Sequence, residues 1–395
     1  MKRRSKIRLM IRGSVAVLTA TAACSAAGGA ASYAITDLGT LGGAVSRAYA
    51  LNNEGQVVGE SRTGGGFDRA FLWEAGVMTH LGIMPGDTYS RGVGVNEAGH
   101  VAVLSEYVDP YTAWDVGHAL LWMEGELWLY GLWESNLYLH GITDDDLGFG
   151  TGSEGYFGAK QGFWSMVGGL LWFIPEELHG ESSVITAVNS ADLAVGSVSY
   201  GEKEVAFTCA GSAYAYLEGL GGAKTRAVDV NDGNEIIGIA QTAEGDDHAV
   251  LWTGGDVVDL GVFTPAAINN ASQIVGSLTD SAVLWDDGEL IDLNDCLPGE
   301  SGWHLLHAND INDAAQIVGW GVNPDEEIHG FLLTVLHPAD LNADGFIDAL
   351  DLVILLDGWG DCPDPPEVCV GDIDGSGAVD VLDLLLLLAA WGAYS

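Results

Sequence analysis

The sequence predicts a mainly β chain: seven repeats of about 43 residues, each the size of a four-stranded propeller blade, then a small α-helical module. Three observations predict this. A polar anchor recurs at Asn52, Asn96, Thr143, Asn189, Asn231, Asn269 and Asn312, at intervals of 44, 47, 46, 42, 38 and 43 residues. Each unit holds about four short runs rich in Val, Ile, Leu and aromatics, separated by Asn-, Asp- and Gly-rich turns. Near the C-terminus one acidic loop occurs twice, 32 residues apart.

The elements follow in chain order. Residues 1–32 read as a signal peptide: Lys2, Arg3, Arg4, Lys6, Arg8 and Arg12 form a charged start, and "GSVAVLTATAACSAAGGAASYA" follows. Ala27, Ala31 and Ala34 suit a signal peptidase. The apolar stretch is too short to span a bilayer, so the mature chain is expected to be secreted or at the cell surface, without a transmembrane helix. "TAAC", ending at Cys24, weakly resembles a lipoprotein box, but Thr21 is a poor residue three places before the cysteine. Ordinary cleavage is the expectation, with lipid anchoring at Cys24 as the alternative.

Acid dominates what remains. The chain has 56 Asp and Glu against 14 Lys and Arg, and six of those 14 lie in the leader, leaving 8 − 56 = −48 for the rest. Such a surface repels phosphate backbones, which argues against nucleic-acid partners and favours cations. After export four cysteines remain, in a compartment that favours pairing. Cys362 and Cys369 flank "PDPPEV" and are expected to form a disulfide; Cys209 with Cys296 is a further pairing that the count allows.

The domain from 33 to 337 is organised by its period. One unit reads "RAYALNNEGQVVGES" and then "RAFLWEAGVMTHLG". A glycine stands seven residues after the anchor in six units, at Gly59, Gly150, Gly196, Gly238, Gly276 and Gly319; Val103 is the exception. A second motif recurs as "AFLW", "ALLW", "GFWS", "AFTC", "AVLW", "AVLW" and "GFLL". Four strands per repeat favour a seven-bladed β-propeller over a parallel β-helix, whose rungs are shorter, and no helical period is present. The last unit ends after "GFLLTVL" without an outgoing strand, which "YAITDLGTLGG" at 33–43 could supply, latching the ring.

These residues resemble the HAF-repeat family of exported bacterial proteins. The resemblance rests on "DLGTLGG", on the N-x-x-G-x-V-V-G turn, and on the His-Ala-Phe tripeptide with its trailing Leu-Trp; it covers nearly all of 35–336. No unit keeps an intact His-Ala-Phe, the nearest being "HAVLW" and "RAFLW". The resemblance implies a surface or secreted location and carries over no active site.

Motifs for catalysis are absent from the repeats. "GLGGAKT" at 219–225 has Ala223 where a phosphate loop needs glycine, and it aligns with "DLGTLGG". There is neither an HExxH nor a GxSxG motif. His118, His248 and His329 share one repeat position, which reads as structural. Acids are so numerous that a carboxylate pair for glycoside hydrolysis carries no signal. One insertion, "EYVDPYTAWDVGH", places Tyr107, Tyr111 and Trp114 outside the expected strands, as a platform for sugar rings or a protein partner, or as cover for the third unit.

The module at 338–395 opens with "DLNADGFIDALDLVILLDGWG". Asp340, Asn342, Asp344, the Phe346 carbonyl, Asp348 and Asp351 stand at positions 1, 3, 5, 7, 9 and 12 of a calcium loop, with Gly345 at the sharp turn. The second copy supplies Asp372, Asp374, Ser376, the Ala378 carbonyl, Asp380 and Asp383. Carboxylates packed this closely repel one another unless a cation sits between them, so two calcium ions are expected. No helix precedes either loop; one is expected after each, through "ALDLVILLDGW" and "VLDLLLLLAAW".

Tandem loop–helix units of this kind resemble the type I dockerin domain, over about residues 338–393. The resemblance implies calcium-dependent docking into a cohesin-like or cell-surface protein. Positions 10 and 11 of each loop, which set partner choice in that family, are Ala349, Leu350, Val381 and Leu382, where hydroxyl-bearing pairs are familiar. The expected whole is an exported propeller with a binding or structural role, tethered by the module. The alternative is a component of a polysaccharide-degrading complex, with glycoside hydrolase or carbohydrate-binding activity in the propeller.

Overall fold

The computed structural model describes residues 33–395 apart from 109–114, 131–135, 154–160, 166–170, 174, 176–177, 179, 299–300, 343–346, 363–368 and 392–395. The chain is mainly β. Among the described residues, the strands between 33 and 335 fall into four-stranded antiparallel units, paired in chain order except that the N-terminal strand joins the last unit. The first unit is Gly42–Leu51, Val57–Thr63, Asp68–Glu74 and Val77–Gly82. Two larger sheets arise only where neighbouring units touch through one parallel pair, Val45 with Ile328 and Glu204 with Lys224.

Burial along each unit follows from its place. First strands alternate, as in Tyr89–Val95 and Ser182–Val188, so one face packs and the other lines an open space. Second and third strands, such as Val57–Thr63 and Asp68–Glu74, are buried on both faces and read as continuous apolar runs. Fourth strands, such as Ala213–Tyr216, face solvent. The core lies between units: Val58, Ala70 and Leu72 of the first pack with Val101, Val103 and Leu120 of the second.

The first strand of each unit meets that of the next, and the strand His304–Ile311 of the last unit meets Gly42–Leu51 of the first. The order is therefore circular. At the seam, Tyr33–Asp37 pairs antiparallel with Ile328–Val335, Tyr33 opposite Val335, and completes the last four-stranded unit. Phe71 and Trp73 share a core there with Val318 and Leu332.

The recurrent glycines have a common steric cause. Each lies opposite a β-bulge on the first strand, as Gly59 does opposite Ala48 and Gly319 opposite Ala308. A Cβ at Gly59 would sit 2.0 Å from the Arg47 carbonyl oxygen, and at Gly319 1.9 Å from that of His307. The second unit reverses the assignment: Val103 pairs with Gly92, so the glycine is on the bulged strand.

At the C-terminus, α1 (Ala349–Asp357) and α2 (Val381–Ala389) each start in a capping box, Asp348 with Asp351 and Asp380 with Asp383. They enclose a small core of Ala339, Ile347, Leu355, Val379 and Leu387. Their outer faces are apolar and exposed in matched pairs 32 residues apart, Leu350 and Leu382, Val353 and Leu385, Leu356 and Leu388, and just past the helix ends Trp359 and Trp391 are exposed as a further pair. No helix among the described residues is long and apolar enough to cross a membrane. Cys362 and Cys369 are joined in a disulfide. Cys209 is a free, buried thiol, so the pairing with Cys296 is not formed; the third strand of its unit turns Cys209 into the interior.

Candidate binding channel and metal loops

The anchors do more than shape turns. Each anchor's backbone N–H bonds the carbonyl four residues on, and the residue three after it takes a left-handed conformation in all seven units, from Gly55 at φ 75 to Ala315 at φ 55. In six units the anchor amide reaches the next unit. Asn52 Nδ2 donates to the Asn96 carbonyl, Asn96 to Thr143, Asn189 to Asn231, Asn231 to Asn269, Asn269 to Asn312, and Asn312 back to Asn52, all at 2.9–3.1 Å.

A second ring runs beside the first through the residue after each anchor. The Asn53 N–H donates to Glu97, Glu97 to Asp144, Ser190 to Asp232, Asp232 to Asn270, Asn270 to Asp313, and Asp313 to Asn53. Both rings lack the same link among the described residues, between the third and fourth units. Thr143 has no amide to offer, though its hydroxyl still accepts the Leu147 N–H. A cavity of about 240 Å³ lies at that junction, lined by Thr143, Phe149 and Cys209. Burial raises the Cys209 thiol pKa, which keeps it protonated and unreactive.

The first strands enclose the channel that these rings encircle. Its turn-side mouth, about 330 Å³, is acidic, with Glu97, Asp144, Asp232 and Asp313 around it. Two aspartates sit deeper, each two residues before an anchor. Asp229 accepts the Ile268 N–H and Asp310 the Leu51 N–H, both at 2.9 Å. Burial pushes Asp229 up to about 6 against the pull of those backbone donors. Asp310 is pushed up to about 7, by burial first and also by Asp229. Both carboxyls bind backbone between units, which is a structural task.

Farther along the first strands lies a cavity of about 680 Å³, bounded by four consecutive units. Arg91, His140, Glu204 and Arg226 line it together with hydroxyls from Thr151, Ser182 and Ser199. Arg226 makes two bonds to Glu204, at 2.8 and 3.0 Å. The same repeat position holds Arg47, bound to Glu60 at 3.0 Å and stacked over Trp320. Among the described residues Arg91 has no ion pair, and its Nε is buried without a hydrogen-bond partner. His140 shows an edge to the cavity, yet surrounding protein and then Arg91 lower its pKa to about 4, so the ring is neutral.

These residues were missed by motif reading because no short motif joins them. A signal was present: Arg47, Arg91 and Arg226 each stand five residues before an anchor, and they are three of only eight Lys and Arg after residue 32.

In the C-terminal loops the two copies are built alike. Asp351 accepts the N–H groups of Leu341, Asn342 and Asp348; Asp383 accepts those of Ile373, Asp374 and Asp380. Burial alone would raise Asp383, but the donors from Asp380, Asp374 and Ile373 more than offset it and hold the carboxyl below its usual range. Oxygens of Asp372, Asp374 and Asp383 lie within 4.8 Å of one another, and the Ser376 hydroxyl bonds the Ala378 carbonyl at 3.2 Å. This all-oxygen donor set suits a hard cation. Asp340 is nearly buried and Asn342 partly so, while Asp348 is exposed at the α1 cap. Asp344, Gly345 and Phe346 lie outside the described residues.

Ala349, Leu350, Val381 and Leu382 open the two helices and are exposed. The insertion differs from expectation. Tyr107 belongs to the strand Val101–Val108, opposite Val116, and stacks on His118 at 6.1 Å. The inserted residues lengthen this hairpin, which draws Tyr107 into the sheet; Tyr111 and Trp114 lie outside the described residues.

No protein-family model and no curated protein matches the chain. Solved structures do. TolB from Acinetobacter baumannii is similar at TM-score 0.42 and 8% identity, over 71% of this chain and 63% of its own, less than two thirds of its length. Virginiamycin B lyase from Staphylococcus aureus matches at 0.45 and 10%, over 77% of this chain and 100% of that one. The β-propeller domain of the trilobed protease from Pyrococcus furiosus matches at 0.43 and 10%, over 76% and 95%. The structural neighbours are β-propellers. At these identities the likeness is one of fold and carries no chemistry.

Proposed function

We propose that this is an exported binding or structural protein: a seven-bladed propeller of HAF-like repeats, carried on a calcium-dependent, dockerin-like tether. The observation that carries the reading is the matched construction of the two C-terminal loops. Three N–H donors converge on Asp351 and the corresponding three on Asp383, ahead of helices whose exposed apolar residues also repeat. A calcium ion in each loop would tie its carboxylates together, and the matched faces of α1 and α2 would meet a cohesin-like partner on a scaffold or cell surface. Support for seven blades comes from the seven anchor turns and from the seam bond between Asn312 and Asn52.

The test is to melt the mature chain in calcium and in chelator. Calcium at a hundred times its dissociation constant would stabilise the module by about 2.7 kcal/mol. An unchanged melt would remove the metal from the proposal. A pull-down from surface extracts, in calcium and in chelator, would then identify the docking partner.

A further inference from the structure

The geometry points to an anion-binding site around Arg91 in the channel cavity, built for a carboxylated sugar such as a hexuronate. Three arginines occupy the same place on the first strands of their units, and two are already neutralised. Glu60 answers Arg47, and Glu204 answers Arg226. The residue that corresponds to Glu60 in the second unit is Leu104, which is fully buried and offers Arg91 nothing. A guanidinium partly removed from water without a counter-charge is costly, and an incoming carboxylate lowers that cost through paired, charge-assisted hydrogen bonds.

The surroundings narrow the ligand class. The cavity, about 680 Å³, has the size of a small-molecule site. Its only described carboxylate, Glu204, is committed to Arg226 and Ser197, so nothing else in the wall competes for Arg91. Hydroxyls of Ser182 and Ser199 have no partner among the described residues and suit a ligand with hydroxyls of its own. Neutral His140 adds a hydrogen-bonding edge without charge. An oxyanion on a hydroxyl-bearing frame satisfies all of these groups together; a neutral sugar leaves Arg91 unanswered. The chain is so acidic that this is a rare place where it can receive an anion.

The inference rests on the propeller being a binding module and is independent of the calcium tether, whose failure in the melting test would leave it standing. The experiment is calorimetric titration of the full mature chain, in calcium, with trigalacturonate, maltotriose and inorganic phosphate. Trigalacturonate should bind, more weakly as salt rises, while maltotriose should not. Phosphate binding as tightly as the trisaccharide would overturn the sugar assignment. Arg91→Gln should weaken trigalacturonate at least tenfold with an unchanged melting temperature, and Arg91→Lys should recover part of the loss. Should Arg91→Gln fail to fold, ligand-induced protection of the Ser182–Val188 strand from hydrogen exchange in the wild type decides instead. No binding by the wild type, equal binding of maltotriose, or full affinity in folded Arg91→Gln would each overturn the site.

Discussion

Asn312 donates its side-chain amide to the backbone carbonyl of Asn52 at 3.1 Å, across 260 residues of chain. The same amide bonds Gln316, and its oxygen accepts the N–H groups of Ala314 and Gln316, so one buried side chain satisfies the last turn and fastens it to the first.

Asn312→Asp keeps the accepting oxygen and removes the donor, leaving a carboxylate against a carbonyl. We expect a loss of about 2 kcal/mol or more, seen as a lower melting temperature. Thr143→Ala breaks only a turn bond, at a junction with no link to the next anchor among the described residues, and should cost about 1 kcal/mol or less. Equal costs at both sites would mean that the amide ring contributes nothing to cohesion.

The left-handed position of each anchor turn makes a second prediction. Ala315 holds φ 55 where the first two units have Gly55 and Gly99. Ala315→Gly should stabilise the chain by about 0.5–1 kcal/mol, because a Cβ is disfavoured there. Four residues on, Gly319→Ala drives a Cβ toward the His307 oxygen and the Phe331 ring and should cost about 3 kcal/mol or prevent folding. Two substitutions in one hairpin thus have opposite signs, which denaturant melts would resolve.

Acid titration makes a third. Asp310 and Asp229 have raised pKa values in the fold, about 7 and about 6, against 3.8 for an ordinary aspartate. Between those limits the folded chain holds more protons than the unfolded one, so stability falls as pH rises from about 4 to about 7. Asp310→Asn cannot ionise and should flatten that slope, measured at fixed calcium. A slope identical to wild type would show that Asp310 is charged in the fold at neutral pH.

Much of this architecture is legible in the residues. The period, the turn chemistry of "NNEG" and the strand at 33–37 all follow from local pattern, and so do the helices behind each acidic loop. What local pattern hides is what meets across units. Asn52 reads as a turn residue, and only the fold shows that its carbonyl serves Asn312. Gly59 reads only as a recurrent glycine seven residues after the anchor, whereas its cause is the Arg47 carbonyl across a bulge. Arg91 is unremarkable until the absence of a carboxylate at Leu104 is seen in place. Tyr107 misled because an insertion can lengthen a hairpin as readily as a loop.

The seam has a mechanical consequence. Any load on the C-terminal module enters the sheet through Val335, the last residue of Ile328–Val335. That strand is gripped along both edges, by Ile317–Val322 on one side and Tyr33–Asp37 on the other. Pulling therefore strains two ladders together, so the tension enters on a strand anchored along both its edges.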